Sequence, residues 1–376
     1  MKISCTQENL NSGLSAVSHI ASKNLNLPIL SNVLFKIENK ILTLMATNLE
    51  IGITTDIRGK LEGDGEFSID ARLISNYISL LPKERIDLEI KEDGELKIEC
   101  LNQKTTIKTQ SGSDFPIIPK ISKDNAIVIP VTEFKKAIGE VIFSCSNSES
   151  RPELSGVFMQ IEKETIVLAA TDSYRLAESK ITISNNKTID KKIIIPSKTL
   201  SEVARILSLS KEEETIDDLN NIEIYTNESQ LMFSYNNIDV VTRIIEGQYP
   251  DYKQIIPSSF ISKAIVNKSQ LIKAIKTSSL FAKNGIYDIK LDFSTVNNEI
   301  VVNSSSVQIG ENNSKVSAQI SGEDSSIILN YRYLIDGLQN IGSEKVEIQI
   351  GDSNSPCLIK PAEENSYLYI IMPIRQ

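Results

Sequence analysis

The stretch VTEFKKAIGEVIFS (131–144), followed by RPELSGVFMQIEKETIVLAATDSYRLA (151–177), decides the fold. In the first part, apolar residues recur three and four positions apart, which indicates a helix with one buried face. In the second part, apolar and polar residues alternate on both sides of a charged turn at 162–164. This pattern predicts two antiparallel strands. We therefore expect a helix and a hairpin in the middle of the chain.

This helix-and-hairpin pattern occurs three times. Residues 28–47 match residues 152–171 at nine of twenty positions without a gap, an offset of 124. A more divergent third copy places Leu271 and Ile275 in a helix, ahead of an alternating segment that starts at Ile289. A period this long is above the range of solenoid repeats and is typical of a repeated domain. The sequence therefore predicts three domains, at residues 1–120, 127–250 and 256–376.

Each third also contains a second amphipathic helix, followed by short alternating strands. The predicted helices span residues 7–20, 70–81, 131–144, 196–209, 267–281 and 330–341. Asp70, Ser197 and Asn330 are candidate N-caps of the second helices. The fold class is α+β, with two helices packed on antiparallel sheets in each domain.

Composition excludes several classes of protein. No apolar run approaches the ~18 residues of a membrane span, and the N-terminus lacks a signal segment, so we expect a cytoplasmic protein. Four cysteines lie without a CxxC pair, which favours buried thiols over metal ligands or disulfides; they are Cys5, Cys100, Cys145 and Cys357. No metal or cofactor is expected. The single histidine, His19, is interpreted as structural.

The charge distribution leaves two interpretations open. The chain has a net charge of −9, but the six predicted helices hold nine basic and six acidic residues, a net of +3, which leaves −12 elsewhere. Helices can simply carry lysine and arginine on their solvated faces. Alternatively, a basic surface lined by helices faces a polyanion and contacts phosphates without reading bases. Aromatic residues for base stacking are not interleaved with the basic ones.

Catalytic motifs are absent from the sequence. It contains no GxxxxGK[ST], GxGxxG, HExxH or GxSxG pattern. The nearest candidate is Asp172 with Arg175, which could act as an acid–base pair of a hydrolase. A carboxylate and a guanidinium at the end of a strand are more commonly a structural ion pair. The sequence therefore predicts a protein without catalytic residues of its own.

Four segments beside the threefold repeat resemble the bacterial sliding-clamp family, the β subunits of DNA polymerase III. They are SDFPIIP (113–119), ATDSYRLA (170–177), GQYPDYKQIIP (247–257) and IIMPIRQ (370–376). The resemblance implies a head-to-tail homodimer that closes a ring around duplex DNA, with helices lining the hole and sheets forming the outer wall. It also implies that the ring tethers the polymerase, the clamp loader and repair proteins through short peptide motifs.

The resemblance further implies which residues meet DNA and the second copy. The implied DNA-facing residues are Arg72, Lys198, Arg205, Lys136, Lys273, Lys276 and Lys23. Lys23 lies beside Asn24, where the family often has arginine. The implied dimer contact joins Thr105 and Ile107, on the edge strand 105–109, to Leu280 and Phe281 of the other copy.

A pocket for peptides is implied between the second and third domains. Its residues are Arg151, Leu154, Thr171, Ser173, Tyr174, Arg175, Leu176, Pro250, Ile255, Asn330, Tyr333, Ile370, Met372, Pro373, Ile374 and Arg375. The chain departs from the family pattern at several positions. Gln254 replaces arginine, Gln376 replaces leucine, Ser173 replaces glycine and Tyr174 replaces histidine. Serine at 173 is strained if that position needs a positive φ.

An alternative function uses this pocket without a ring. In that case the chain is a peptide-binding scaffold that never encircles DNA. Ring closure separates the two hypotheses, because a clamp should have a native mass about twice the 41.8 kDa of the chain.

Overall fold

The computed structural model describes residues 1–91, 94–148, 150–183, 190–209, 221–282 and 285–375. The chain forms two compact units. The first combines Met1–Val131 with Glu202–Ile244, and the second combines Thr132–Ser201 with Ile245–Gln376. In the described part of the chain, none of the helices has the length and apolar character needed to cross a membrane.

The first third of the chain begins with a strand and a helix. Its elements are β1 (Lys2–Thr6), α1 (Gln7–Val17), β2 (Asn32–Glu38), β3 (Ile41–Thr47), β4 (Ile51–Ile57), β5 (Lys60–Glu62), β6 (Gly65–Asp70), α2 (Ala71–Leu80), β7 (Arg85–Ile90), β8 (Glu95–Cys100), β9 (Gln103–Lys108) and β10 (Gln110–Ser111). Short 3₁₀ helices lie at Ser18–Ile20 and Pro28–Ser31.

The second third repeats this order. Its elements are β11 (Ile127–Pro130), α3 (Val131–Val141), β12 (Gly156–Glu162), β13 (Thr165–Thr171), β14 (Arg175–Thr182), β15 (Lys191–Pro196), α4 (Ser197–Leu207), β16 (Asn221–Thr226), β17 (Gln230–Tyr235) and β18 (Ile238–Arg243). Its 3₁₀ helices are Ile142–Ser144 and Pro152–Leu154, and a further one, Tyr252–Ile255, precedes the last third.

The last third contains the longest described strand. Its elements are β19 (Ser262–Asn267), α5 (Lys268–Ser279), β20 (Asp288–Ser294), β21 (Glu299–Ser306), β22 (Gly310–Gly322), β23 (Ser325–Asn330), α6 (Tyr331–Asn340), β24 (Lys345–Ile350), β25 (Cys357–Pro361) and β26 (Tyr367–Ile371).

The threefold repeat predicted from the sequence is confirmed by these elements. Strands β2 and β3 begin 124 residues before β12 and β13, and each pair follows a 3₁₀ helix that starts at a proline. The six predicted helices are present, and 3₁₀ turns carry the first and third of them to Ile20 and Ser144. A short strand before the first helix of each third (β1, β11 or β19) was not predicted.

Strand pairing extends across the sequence thirds within each unit. In the first unit, a five-stranded sheet has the order β5-β1-β7-β8-β9, and a nine-stranded sheet has the order β10-β6-β2-β3-β4-β18-β17-β16-β11. In the second unit, a twelve-stranded sheet has the order β15-β12-β13-β14-β26-β25-β24-β19-β22-β21-β20-β23. The β4–β18 and β14–β26 pairs, both antiparallel, join strands from consecutive thirds.

Helices α1 and α6 pack closely on strands at positions where a glycine has no side chain. A Cβ on Gly13 of α1 would lie 2.2 Å from the Ile57 side chain, and one on Gly337 of α6 would lie 2.2 Å from the Tyr369 ring. Both distances are shorter than any real contact, so each glycine lets its helix lie against a strand. Leu10 and Leu14 of α1 are fully buried at this contact.

Helix caps follow the prediction at two of three positions. Asp70 accepts a hydrogen bond from the Leu73 amide at 2.8 Å, and Asn330 accepts one from the Arg332 amide at 2.9 Å. The N-cap predicted at Ser197 is wrong. Ser197 is already the first residue of α4, so Pro196 occupies the cap position.

The four cysteines are free thiols. Cys5, Cys100 and Cys357 are buried as predicted, and Cys145 is half-buried. Desolvation raises the pKa of Cys5, Cys145 and Cys357 to about 12. These thiols therefore stay protonated at neutral pH and behave as small apolar side chains.

Candidate functional site

The residues of the predicted peptide pocket all belong to the second unit. Strand β14 pairs with β26, which places Leu176 opposite Ile370. The chain after β26 continues beside the turn between β13 and β14, where the Met372 amide donates to the Tyr174 carbonyl at 2.9 Å. The Ile374 amide then donates to the Ile328 carbonyl of β23 at 2.9 Å. The C-terminal segment is thus held at both ends beside the β13–β14 turn.

An apolar cluster lies beneath this turn. Its buried members are Leu154, Phe158, Ala169, Leu176, Ile194, Tyr249, Tyr252, Leu358 and Ile370. The Phe158 and Tyr249 rings stack at a centroid distance of 5.0 Å. The Tyr252 hydroxyl donates to the buried Glu178 carboxylate at 2.6 Å. The aromatic members were missed from the sequence, although Tyr249 and Tyr252 lie in the GQYPDYKQIIP segment.

The turn between β13 and β14 is fixed by its own side chains. The Asp172 carboxylate accepts the amides of Tyr174 at 2.9 Å and Arg175 at 3.0 Å. The Thr171 hydroxyl accepts the Ser173 amide at 3.1 Å and donates to the Arg175 carbonyl at 2.6 Å. Ser173 has φ 80°, so this position does need the left-handed conformation.

Arg175 connects the turn to helix α6. Its guanidinium donates to Asp172 at 2.9 Å and to Asp336 at 2.6 Å. It lies over the Tyr333 ring at 4.5 Å and the Phe143 ring at 5.5 Å. Asp172 and Arg175 are therefore an ion pair that holds the turn, and both are occupied by structural contacts. Phe143 and Asp336 were missed from the sequence.

The rim of the cluster is open to solvent. Tyr174 is 64% exposed, Ile255 is 39% exposed, and Arg375 is also exposed. Pro250, Met372, Pro373 and Ile374 are half-buried. The Gln254 side-chain amide donates a hydrogen bond to the Asp251 carboxylate at 2.9 Å. Gln376 lies outside the described residues.

Two further residues of the predicted pocket, Asn330 and Tyr333, have structural partners around α6. The Asn330 side chain caps α6. The Tyr333 carbonyl accepts the Tyr369 hydroxyl at 3.0 Å, while its ring lies under the Arg175 guanidinium. These two residues hold α6 in place, and the surfaces left to a ligand are those of the turn, the rim and the C-terminal segment.

Five of the seven predicted DNA-facing residues are exposed cations without an acidic partner within ion-pair distance among the described residues. They are Lys23, Arg72, Lys198, Lys273 and Lys276. Lys136 differs, because its ammonium lies 3.1 Å from Glu364 and 3.9 Å from Glu140. Beside Lys23, the Asn24 side chain accepts the amides of Asn26 and Leu27 and so shapes its own loop.

Arg205 is placed differently from the other predicted cations. Its side chain is only 24% exposed and pairs with the buried Glu202 at 2.5 Å. It also donates to the Ser15 carbonyl at 3.0 Å and the Ala16 carbonyl at 2.8 Å. These carbonyls lie in the last turn of α1, where a cation satisfies unpaired acceptors. The sequence could not show the carbonyl contacts, because Ser15 and Ala16 lie about 190 residues from Arg205.

His19 completes this group within the first unit. Its Nδ1 lies 2.7 Å from Glu202 Oε2, so the carboxylate has a cationic or hydrogen-bonding partner on each oxygen. The structural role expected for the histidine is consistent with this contact.

The residues of the predicted dimer contact lie in or beside strands at the edges of sheets. Strand β9, which holds Thr105 and Ile107, is an edge of the five-stranded sheet. Leu280, just after α5, is 71% exposed, and Phe281 is half-buried. The first half of β22 pairs with β21 on one side only, because β19 joins β22 from Ala318 onward.

An exposed apolar hairpin tip adjoins that second strand edge. Val307 and Ile309, between β21 and β22, are both exposed. A Cβ on the neighbouring Gly310 would lie 4.0 Å from the Phe281 ring, so the tip lies beside the end of α5. These two residues were not predicted from the sequence, although two apolar residues in a hairpin turn are an unusual feature.

Comparison with known proteins covers almost the whole chain. Models of the DNA polymerase III beta subunit match at residues 1–119 (N-terminal domain), 128–251 (central domain) and 253–375 (C-terminal domain). The beta sliding clamp of Streptococcus pneumoniae serotype 4 is 30% identical over 369 residues, covering 95% of this chain and 94% of that protein. The beta sliding clamp of Synechococcus elongatus is 26% identical over 379 residues, covering 100% and 99%.

Solved structures agree with these relatives. The beta subunit of DNA polymerase III from Thermotoga maritima is 27% identical with a TM-score of 0.91, covering 100% of this chain and 99% of that chain. The DNA polymerase sliding clamp from Bacillus subtilis is 26% identical with a TM-score of 0.91 and the same coverage. With three consecutive domain models matched and the fold shared from end to end, this chain belongs to the DNA polymerase III beta subunit family.

Proposed function

We propose that this protein is a DNA sliding clamp, in which two copies close head to tail into a ring around duplex DNA. The ring tethers the replicative polymerase for processive synthesis and needs no catalytic residue or cofactor of its own. The observation that carries this proposal is the match over the whole length to relatives that are beta sliding clamps. Such a clamp would work in the cytoplasm, on the bacterial chromosome.

The proposed ring contains six domains, three from each copy, with boundaries near residues 1–120, 127–250 and 256–376. A ring holds DNA by topology, so its contacts with DNA can stay weak and allow sliding. The exposed cations Arg72, Lys198, Lys273 and Lys276 suit this task, because long flexible side chains contact phosphates without reading bases. Lys23 is a further candidate, and Lys136 contributes less because acidic groups partly neutralise it.

Arg205 is better assigned to stability than to DNA. Its guanidinium is satisfied by Glu202 and by the carbonyls of α1. Moving it to a phosphate would leave a buried carboxylate with a single partner, at a cost larger than that of a surface contact.

The proposed dimer contact joins β9 of one copy to the free edge of β22 in the other. Among the described residues, each of these edges has no neighbouring strand on one side, and edge-to-edge pairing would satisfy both rows of backbone groups. Apolar side chains lie at both edges, Ile107 within β9 and Leu280 with Phe281 beside β22. The exposed hairpin tip at Val307 and Ile309 adds apolar surface to the second edge. A stable contact of this kind needs to bury only ~1,200–2,000 Å².

The proposed peptide site is the groove between the β13–β14 turn and the C-terminal segment. An apolar floor suits leucine or phenylalanine anchors, and a few polar groups at the rim orient an extended backbone. The expected partners are the polymerase, the clamp loader and repair proteins that carry short peptide motifs.

The location of this site keeps a second candidate function open. Every described residue of the site belongs to one compact unit, so peptide binding does not itself require a closed ring. A peptide-binding scaffold that never encircles DNA would use the same groove.

Sedimentation velocity at several protein concentrations separates the two functions. A clamp should sediment with about twice the 41.8 kDa of the chain down to low concentration. A protein that stays at the mass of one chain at every concentration, while still binding peptide, would be the scaffold.

A further inference from the structure

Ser173 holds a backbone conformation that serine rarely adopts. Its φ is 80°, in the left-handed region that glycine occupies without strain. The Thr171 hydroxyl and the Asp172 carboxylate accept the amides of Ser173 and Tyr174 and so fix the turn, and the residue cannot relax to a negative φ while the turn persists. Strain of this kind persists where surrounding structure imposes it, and it concentrates at binding sites.

The side chain of Ser173 has a defined partner. Its hydroxyl oxygen accepts a hydrogen bond from Arg151 Nη1 at 3.0 Å. Arg151 Nε donates to Glu153 at 3.1 Å. The guanidinium is thus held at two atoms, directly before the 3₁₀ helix that places Leu154 in the apolar cluster.

This arrangement leaves several hydrogen-bond donors facing solvent beside the Glu153 carboxylate. A guanidinium has five N–H donors and no acceptor, and two donors of Arg151 are used. The Ser173 hydroxyl has accepted a bond, so its own hydrogen remains to donate. Further partners for these groups do not occur among the described residues. Both side chains are exposed, next to Tyr174 at the rim of the groove.

We propose that Ser173 and Arg151 form a donor pair that recognises a hydrogen-bond acceptor on the bound peptide, a carbonyl or a carboxylate next to an apolar anchor. This inference rests on the proposed peptide site. Ser173 acts as a positioning residue for Arg151 and also donates its own hydrogen. The serine thus adds polar recognition that glycine at this position would lack.

Two substitutions of Ser173 separate the hydroxyl from the strain. Ser173→Gly removes both the hydroxyl and the strain, while Ser173→Ala removes the hydroxyl and keeps the strain. We expect both variants to bind a labelled peptide with leucine and phenylalanine anchors about three- to tenfold more weakly, the worth of one hydrogen bond. Thermal unfolding should separate them, with Ser173→Gly melting at a higher temperature than Ser173→Ala.

A double-mutant cycle tests whether the two residues act together. Arg151→Met keeps the apolar stem of the side chain and removes the donors. In this background, Ser173→Gly should weaken binding less than twofold, because the donor pair is already lost. Wild-type affinity in Ser173→Gly, or a full additional loss in the double variant, would overturn the proposal.

Peptide variants distinguish the two sources of the acceptor. If it is a carboxylate, replacing the glutamate beside the anchor by alanine, or moving the C-terminal carboxylate by adding residues to that end, should abolish the difference between wild type and Ser173→Gly. If it is a backbone carbonyl, the difference should persist in every version of the peptide.

The contact between Ser173 and Arg151 can also be tested without peptide. This test distinguishes an error in the proposed pair from an error in the proposed peptide site. The Arg151 Nε–H signal in NMR, assigned by its loss in Arg151→Met, should exchange severalfold faster with water in Ser173→Gly and Ser173→Ala. Unchanged exchange would mean that Ser173 does not position Arg151. No binding of any peptide by the wild type, with exchange as expected, would instead refute the peptide site and the recognition assigned to the pair.

Discussion

Glu140, at the buried face of α3, makes the stability of the second unit depend on pH. Burial raises the pKa of this carboxyl above its ordinary 4.5, and the hydrogen bond from Ser179 at 2.6 Å and the charge of Lys136 only partly oppose that shift. The folded state therefore binds the proton more tightly than the unfolded state. The contribution of this carboxyl to the free energy of unfolding is fully present below pH 4.5. It is lost as pH rises from there through the pKa of the folded state.

Replacing Glu140 with glutamine should remove this loss. Glu140→Gln should be more stable than the wild type at pH 7, and the difference should disappear below pH 4. Urea unfolding across this pH range measures both. Glu133→Gln, on the exposed face of the same helix, is the matched control and should show no such pH dependence. A Glu140→Gln variant that is less stable than wild type at pH 7 would contradict the assignment.

Arg205 and Lys198 lie on the same helix and should behave oppositely. Arg205→Ala leaves the Ser15 and Ala16 carbonyls and one oxygen of Glu202 without their donor, so the free energy of unfolding should fall by about 2 kcal/mol. Lys198→Ala should leave stability unchanged and weaken binding to a short linear duplex at low salt, where phosphate contacts rather than topology hold the DNA. Chemical denaturation and this binding assay on both variants decide between the roles. A stable Arg205→Ala protein with impaired binding to the short duplex would show that Arg205 faces DNA.

The helices were predictable from the sequence because each has one continuous apolar face, as Phe134, Ile138 and Val141 of α3 illustrate. Strand pairing between thirds was not predictable. The β4–β18 and β14–β26 registers join residues more than 180 positions apart, and local periodicity carries no information about such partners.

In the candidate site, too, local features were predictable from the sequence and contacts between distant segments were not. The TDSYR turn was found through resemblance to a family, and its internal hydrogen bonds follow from Asp and Thr beside a turn. The partners Phe143 and Asp336 of Arg175 were not found, because they come from distant segments. Asp336 reaches Arg175 from α6, and Phe143 reaches it from the 3₁₀ helix that follows α3.

The segment after β26 is expected to form one wall of the peptide site. Removing Met372–Gln376 eliminates the hydrogen bonds to Tyr174 and Ile328 but keeps β26, so the fold should survive. A peptide with two apolar anchors should bind the wild type with a Kd in the micromolar range, about −8 kcal/mol. The truncated protein should lose most of this affinity, while Gln376→Leu should change it little. Fluorescence anisotropy measures all three, and undiminished binding by the truncated protein would place the peptide site elsewhere.

Assembly of two copies should depend on the apolar end of α5. Replacing Leu280 and Phe281 together with alanine removes most of the apolar surface there, so the double variant should sediment as single chains. Val296→Ala changes an equally exposed residue of the same third and should leave the dimer intact. A double variant that still sediments as a dimer would refute this location of the contact.

The central claim is that the protein holds DNA by encircling it, and retention on circular against linear duplex tests this most directly. The clamp is loaded onto a nicked circular plasmid by its loader and ATP, the complex is separated by gel filtration, and half of it is then cut once with a restriction enzyme. We predict that the clamp stays on the circle in salt that screens phosphate contacts, and that it leaves the linear DNA through the free ends. Equal retention on both forms would contradict a topological ring.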